Sequence, residues 1–198
     1  MSRNQDPGKR SLILRSALQV FGAKGYSATT IRDIAESSGI AAGTVYLYFD
    51  DKEDLFRCSF EESWAEFHAG MQHILAQDQD IEFSMTRLID YGFGLLSDLY
   101  PLVRGMYTQA NLKDMISPHL DRLSLVLADF FGRRSSLQLF GIADPQLQRF
   151  YLKLMIAGIL STVSQSPPEE FDEVVRELKH NLVYGLKHGM RRAAGNQQ

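Results

Sequence analysis

Apolar residues recur at the three- and four-residue spacing of an α-helix along almost the whole of this 198-residue chain, and no stretch alternates as a half-buried strand does. That pattern predicts an all-α fold. Breaks in the periodicity place the helices. The first spans 11–24, with Ile13, Ala17, Val20 and Phe21 on one face and Gly25 as a left-handed stop. The second begins at Thr30, whose hydroxyl caps it with Asp33 three residues on, a carboxylate version of the capping box, and it ends at Gly39. A short third helix covers 42–49. Asp50 or Asp51 caps a long fourth, 52–76, entered through the acidic pair Glu53–Asp54. A fifth covers 81–99 and is closed by Pro101, and one or two short helices fill 101–115. Pro118 opens another, to 131, and Pro145 opens a long apolar one, to 164. Pro167–Pro168 starts the last, with Glu169 and Glu170 at its N-terminus and Lys187, His188, Arg191 and Arg192 near its C-terminus. Residues 193–198 are expected to fray.

Composition narrows the function. A lone cysteine, Cys58, excludes an intramolecular disulfide and a multi-cysteine zinc site, and its helical setting suggests a half-buried, unreactive thiol. His68 and His73 face different sides of a helix, which argues against a two-histidine metal site; no cofactor is expected. MSRNQDPGKR holds no apolar stretch, and no run reaches the roughly 18 apolar residues of a membrane helix. A soluble, cytoplasmic protein without membrane contact is expected. Charge says little: residues 1–57 hold 8 Lys/Arg against 7 Asp/Glu, within a formal net charge of -3 for the chain. No glycine-rich phosphate loop, nucleophile elbow, zinc-binding His–Glu pattern or iron-binding carboxylate–His pair occurs, so nothing points to an enzyme.

The informative string is Thr30–Lys52, TIRDIAESSGIAAGTVYLYFDDK. Small Ala35 lets the next helix approach, Gly39 supplies a positive φ for a tight turn, and Ile40 plugs the space between the two helices. The helix after the turn starts with Ala42 and Gly43, too small to block a groove, and its free N–H groups suit a phosphate. A scaffold corner would use the same turn.

The longer string KGYSATTIRDIAESSGIAAGTVYLYFDDKEDLF closely resembles the N-terminal domain of the TetR family of transcription regulators over about residues 10–57. Its marks are Lys24–Gly25–Tyr26, Thr29–Thr30, Ile34–Ala35, Gly39–Ile40, Gly43–Thr44, Tyr46, Tyr48–Phe49, Lys52 and Leu55–Phe56. The resemblance implies a three-helix helix-turn-helix DNA-binding domain over 1–51 and a larger helical ligand-binding and dimerisation domain over 52–198. It places Thr30, Tyr46 and Lys52 against phosphates, and Thr44 against a phosphate or base edge. Arg32 falls where some members read guanine, although an ion pair with Glu36 at i+4 would serve equally. Tyr48 replaces a common histidine. Ala41 stands where a capping serine is frequent and Ala42 where a polar reader is common, so thymine-methyl contact from Ala42 and DNA shape are expected to contribute to specificity. Two heads related by a dyad would read a palindromic operator of double-stranded DNA.

The resemblance also implies a homodimer built from the last two helices and an effector cavity among the middle ones. Leu147, Tyr151, Leu154, Met155, Gly158 and Thr162, with Leu178, Leu182, Val183 and Leu186, form the candidate dimer stripes. They are equally patterned to pack the monomer's own core. Candidate cavity residues are Trp64, Phe67, Met71, Leu88, Tyr91, Leu95, Tyr107, Leu127 and Phe130; plain core is the alternative for each. Gly92 and Gly94 inside the fifth helix would make room for a ligand or for a neighbouring helix. The expected reading is a repressor released by a small lipophilic effector, neutral or anionic, such as an acyl chain or aromatic compound. A regulator recruited by a protein partner, with no effector, remains the alternative.

Overall fold

The computed structural model describes residues 6–77, 80–106, 110–133, 142 and 144–195. Among them lie nine helices: α1 Pro7–Lys24, α2 Ile31–Ser38, α3 Ala42–Val45, α4 Lys52–Ala76, α5 Ile81–Asp98, α6 Tyr100–Met106, α7 Ala110–Arg133, α8 Pro145–Gln165 and α9 Phe171–Gly195. No strand occurs among the described residues. The fold is all-α, as the periodicity predicts.

Capping explains the best-placed ends. Thr30 and Asp33 form the reciprocal box at the start of α2, and Gly39 closes that helix in the left-handed region at φ 66. Asp51, rather than Asp50, caps α4 by accepting from the Asp54 amide at 2.8 Å. Gly25 has a positive φ of 78, but its ψ of 163 leaves the left-handed helical region expected of a stop.

Four boundaries differ from the sequence reading. Asp6 accepts from the Gly8 amide, and Pro7 suits the first turn, so α1 begins earlier. The third helix ends at Val45, and 46–48 continue as a tight turn, with Leu47 N–H donating to Thr44 O and Tyr48 N–H to Val45 O. Pro118 does not open a helix; it lies inside α7. Its cost, about 3 kcal/mol in a free helix, is overridden by packing on both sides of it, with Ile116, Ser124 and Ala128 all buried. The last helix starts at Phe171 because Pro167–Glu170 form a turn, Glu170 N–H donating to Pro167 O at 3.0 Å. Phe171 is pinned there against Tyr100, ring centroids 3.9 Å apart, and Tyr100 Oη donates to Ser166 O at 2.7 Å. Asp172 and Glu173 supply the negative first turn in place of Glu169 and Glu170.

The core of the N-terminal helices does not end with them. Ile13, Leu14, Ala17, Phe21, Ile34, Val45, Leu55 and Phe56 share one buried cluster with Leu99, Tyr100 and Val103 at α6, Ile116 of α7 and Val163 of α8. Gly22 lets α1 approach the end of α5, just ahead of α6: a β-carbon there would meet the Asp98 carbonyl oxygen at 2.8 Å. Buried side chains therefore join the N-terminal head to the helices behind it through both α4 and α6.

Candidate nucleic-acid interface and internal cavity

The α2–turn–α3 unit presents an open face. Val45 at 0% exposure anchors α3, while Tyr46 at 57% and Leu47 at 54% project outward beside it. Gly43 is exposed and faces open space. Arg32 is exposed and makes no ion pair with Glu36 among the described residues, so its guanidinium is available to a partner outside the chain. Thr44 and Ala42 are half-buried, Ala42 against the core. Leu47, exposed beside Tyr46, was not among the sequence candidates.

The remaining candidates are tied into the fold. Thr30 Oγ1 donates to Asp33 Oδ2 at 2.7 Å and accepts from the Asp33 amide at 3.2 Å. The Lys24 ammonium donates to the same carboxylate and, with both Thr30 groups, holds the Asp33 carboxyl well below the usual carboxylate range. Tyr48 Oη accepts from the Asp6 amide at 3.1 Å, fastening the start of α1 to the α3 turn. Lys52 Nζ donates to Tyr26 O and Thr29 O, both at 3.0 Å, and lies 4.5 Å from the centre of the Tyr26 ring. Lys52 is thus a clasp between the start of α4 and the loop entering α2.

Hydrogen bonds from a charged group contribute about 1.5–3 kcal/mol together with their geometry. Lys52→Met is therefore expected to lower unfolding free energy by roughly 2 kcal/mol in urea denaturation. Unchanged stability with weakened DNA binding would instead assign the ammonium to phosphate alone.

Behind this head lies a cavity of about 210 Å³ whose lining residues are all apolar. Trp64, Phe67, Met71, Leu88, Leu95 and Leu127, all candidates from the sequence, line it. Tyr91 does not; it faces an adjoining cleft, its ring stacked on Phe67 at 5.2 Å. Phe130 packs in the core while its neighbour Phe131 reaches the cavity, one residue of helical phase being a turn of about 100°. Tyr107 lies outside the described residues. The sequence reading missed the α8 wall of Leu152, Ile156, Ile159 and Leu160.

That wall takes up part of the candidate dimer stripes, for which packing within the monomer was the other reading. Met155 and Leu182 line the cavity, and Leu178 and Val183 pack on the core. Leu186 has no described side chain. The apolar face that α8 leaves open carries Leu147 at 44% exposure, Phe150 at 58%, Tyr151 at 43% and Leu154 at 58%, continued by exposed Gly158 and Thr162. On α9, Tyr184 is exposed at 57% and stacks on His188.

Two further groups of α4 were candidates for special chemistry. His68 is 4% exposed and neither ring nitrogen has a hydrogen-bond partner among the described residues; burial, then Arg122 and His119, lower its pKa. Cys58 is half-buried, and burial followed by the Asp54 charge raises its thiol pKa, the opposite of an activated thiolate.

A small helix-turn-helix head with an open face, fused through shared core to helices that wall an apolar cavity, defines a DNA-binding regulator class. Residues 13–57 match the family described as bacterial regulatory proteins, tetR family. The fatty acid metabolism regulator protein of Bacillus subtilis is 24% identical over 172 residues, 86% of each chain. The biofilm operon negative regulator IcaR of Staphylococcus epidermidis is 28% identical over 122 residues, 59% of this chain and 64% of that one. Among solved structures, FadR of Bacillus subtilis in complex with stearoyl-CoA has a TM-score of 0.65 at 24% identity, covering 88% of this chain and 98% of that one. A TetR-family regulator from Mesorhizobium loti has a TM-score of 0.68 at 19% identity, covering 93% and 96%. Over residues 13–57 the chain is similar to bacterial regulatory proteins of the tetR family, and the relatives it matches over more of its length are regulators. No described helix is long and apolar enough to cross a membrane.

Proposed function

We propose that the protein is a cytoplasmic, homodimeric repressor that grips a palindromic operator through residues 1–51 and lets go when a lipophilic effector enters the cavity of residues 52–198. The observation that carries this reading is the apolar cavity itself. At about 210 Å³ it exceeds the roughly 150 Å³ at which a dry apolar cavity takes up benzene, which favours an effector over the alternative of a solidly packed, partner-recruited regulator. The stearoyl-CoA in the FadR complex supports an acyl chain as the effector's apolar part.

In this reading Arg32 and Tyr46 meet the DNA directly, with Thr44 and the Ala42–Gly43 surface against the groove. Thr30 and Tyr48 hold the reading helices in place, and Lys52 adds charge beside the backbone. The α8 face of Leu147, Phe150, Tyr151 and Leu154 meets its symmetry mate, and α9 flanks it.

Coupling follows from shared walls. Phe60 of α4, with Leu99 and Val103 at α6, lines the cavity and also belongs to the cluster that holds α1. An effector that requires a wider cavity displaces both supports of the head, and it releases DNA only to the extent that it binds the two head positions unequally. Trp64 is the chain's single tryptophan and lines the cavity, so its emission reports occupancy.

The test is anisotropy of a fluorescent operator titrated with protein, with and without a long-chain fatty acid or its coenzyme A thioester. A compound that changes Trp64 emission is expected to weaken operator binding about 5–150-fold. One that fills the cavity yet leaves operator affinity unchanged overturns the coupling.

A further inference from the structure

Helix α7 meets α4 through a cluster of aromatic and imidazole rings. His119 of α7 stacks on Trp64 of α4, ring centroids 5.1 Å apart at an interplanar angle of 14°, and stands edge-on to Phe60 at 5.5 Å. Its Nε2 lies 3.2 Å from Glu61 Oε1, an ion pair when the ring carries a proton. His68, one helical turn along α4 from Trp64, lies 5.6 Å from the same indole. The chain's single tryptophan is thus flanked by two imidazoles. Phe60 belongs to the buried cluster that holds α1, and Trp64 packs against that cluster. His119 is therefore seated on the stretch of α4 that leads into the DNA-reading head.

The two imidazoles differ in what a proton would meet. On His119 it has Glu61 to pair with. On His68 it has nothing, because that ring is buried with no hydrogen-bond partner among the described residues. The charges that act on His68 are Arg122 and His119, both of α7, and both oppose a proton on its ring. Neighbouring carboxylates are engaged elsewhere: Glu62 pairs with Arg10 of α1, and Asp121 with Lys153 of α8. From α5, Tyr91 stacks on Phe67, while Arg87, Asp90 and Asp98 border a cleft with Glu66. Burial first, then Arg122 and His119, holds the His68 pKa below the ordinary imidazole value of about 6.5. The closed seam is therefore favoured in full above that value. The preference is lost as pH falls below it, since a His68 ring in water takes up a proton that the closed seam refuses.

We propose that the α4–α7 seam is a proton-sensitive joint: a proton on His68 drives its ring out of the seam, parts α7 from α4 beside Trp64 and slackens the support of the head, so that acid weakens operator binding with no effector present. This rests on the DNA-binding reading above and is independent of the effector. An unpaired charge is not tolerated where His68 now lies, and the ring reaches water only if the two helices separate. Separation takes His119 off Trp64 and Phe60, and Phe60 is one of the side chains through which α4 holds the head. One proton is linked to the change, so operator affinity falls by at most about tenfold per pH unit.

The test uses the full-length protein and a duplex recovered from random DNA at neutral pH, with anisotropy and Trp64 emission followed from mildly alkaline to mildly acid pH at constant ionic strength. In the parent, affinity for the duplex is expected to fall below about pH 6.5, and Trp64 emission to shift to the red with the same midpoint as its ring is wetted. His68→Leu is expected to remove both changes while binding the duplex at neutral pH as the parent does. Arg122→Gln removes an exposed charge that opposes the proton, so both midpoints are expected to move to higher pH. Parent affinity that does not fall with acid, an acid transition retained in His68→Leu, or a midpoint unmoved in Arg122→Gln overturns the joint while leaving the DNA-binding reading intact. The arginine variant decides the matter by itself if His68→Leu does not fold. If the parent binds no duplex at neutral pH, the DNA-binding reading falls and this inference with it.

Discussion

Leu154→Arg is expected to yield a folded monomer whose affinity for an inverted-repeat operator is lower by about 10²–10⁴-fold, the gain that joining two binding units supplies. Leu154 is 58% exposed and stands at the centre of an apolar face that includes Leu147, Phe150 and Tyr151. A contiguous apolar face on a protein this size marks an interaction surface, and small Gly158 on the same face permits close helix approach. Under two-fold symmetry each substituted arginine would enter that apolar interface near its own copy, and an unpaired charge there is costly. The monomer itself should tolerate the change because the side chain already meets solvent. Sedimentation velocity and operator anisotropy measure the two halves of the result. A variant that remains dimeric with unaltered DNA binding would place the interface elsewhere.

Phe56→Ala is expected to cost about 3–5 kcal/mol of unfolding free energy, the usual range for removing a buried phenyl ring. For a chain of this length that corresponds to a fall in melting temperature of roughly 6–20 °C. The ring is 2% exposed and meets Phe21 edge-on at 4.9 Å, Tyr26 at 5.0 Å and Phe60 at 5.9 Å. It therefore lies where α1, the loop entering α2 and the start of α4 converge, and its loss weakens the joint between the head and the cavity helices. Guanidinium denaturation followed by helix signal and by Trp64 emission measures it. A loss below about 1 kcal/mol would mean that the head is not anchored at this ring.

The parts of the fold legible in the sequence are those fixed by local chemistry. The Thr30–Asp33 box, the glycine turn at Gly39 and the span of α4 are each decided by a few adjacent residues, and the structure has them where the sequence places them. The boundaries that moved depend on distant partners. Phe171 starts α9 because Tyr100 holds it, and α7 runs through Pro118 because both of its halves are buried against other helices. The candidate sites divide in the same way. Periodicity identified that Met155 and Leu182 are turned inward from solvent, but not that they face a cavity instead of a second subunit. It could not separate Phe130 from Phe131, nor foresee that Lys52 would spend its ammonium on two backbone carbonyls. Gly92 and Gly94 were conspicuous as helix glycines; only the packing shows that one lines the apolar cavity and the other the adjoining cleft.

Selection of bound sequences from a pool of random duplex DNA, using the full-length protein, tests most directly whether the face carrying Arg32 and Tyr46 enters a major groove in two symmetric copies. The expected outcome is an inverted repeat whose half-site centres lie about one helical turn apart, or a multiple of it, with Arg32→Ala relaxing the preference at one position in each half. Enrichment of sequences without a dyad, or of none above the starting pool, would contradict the account.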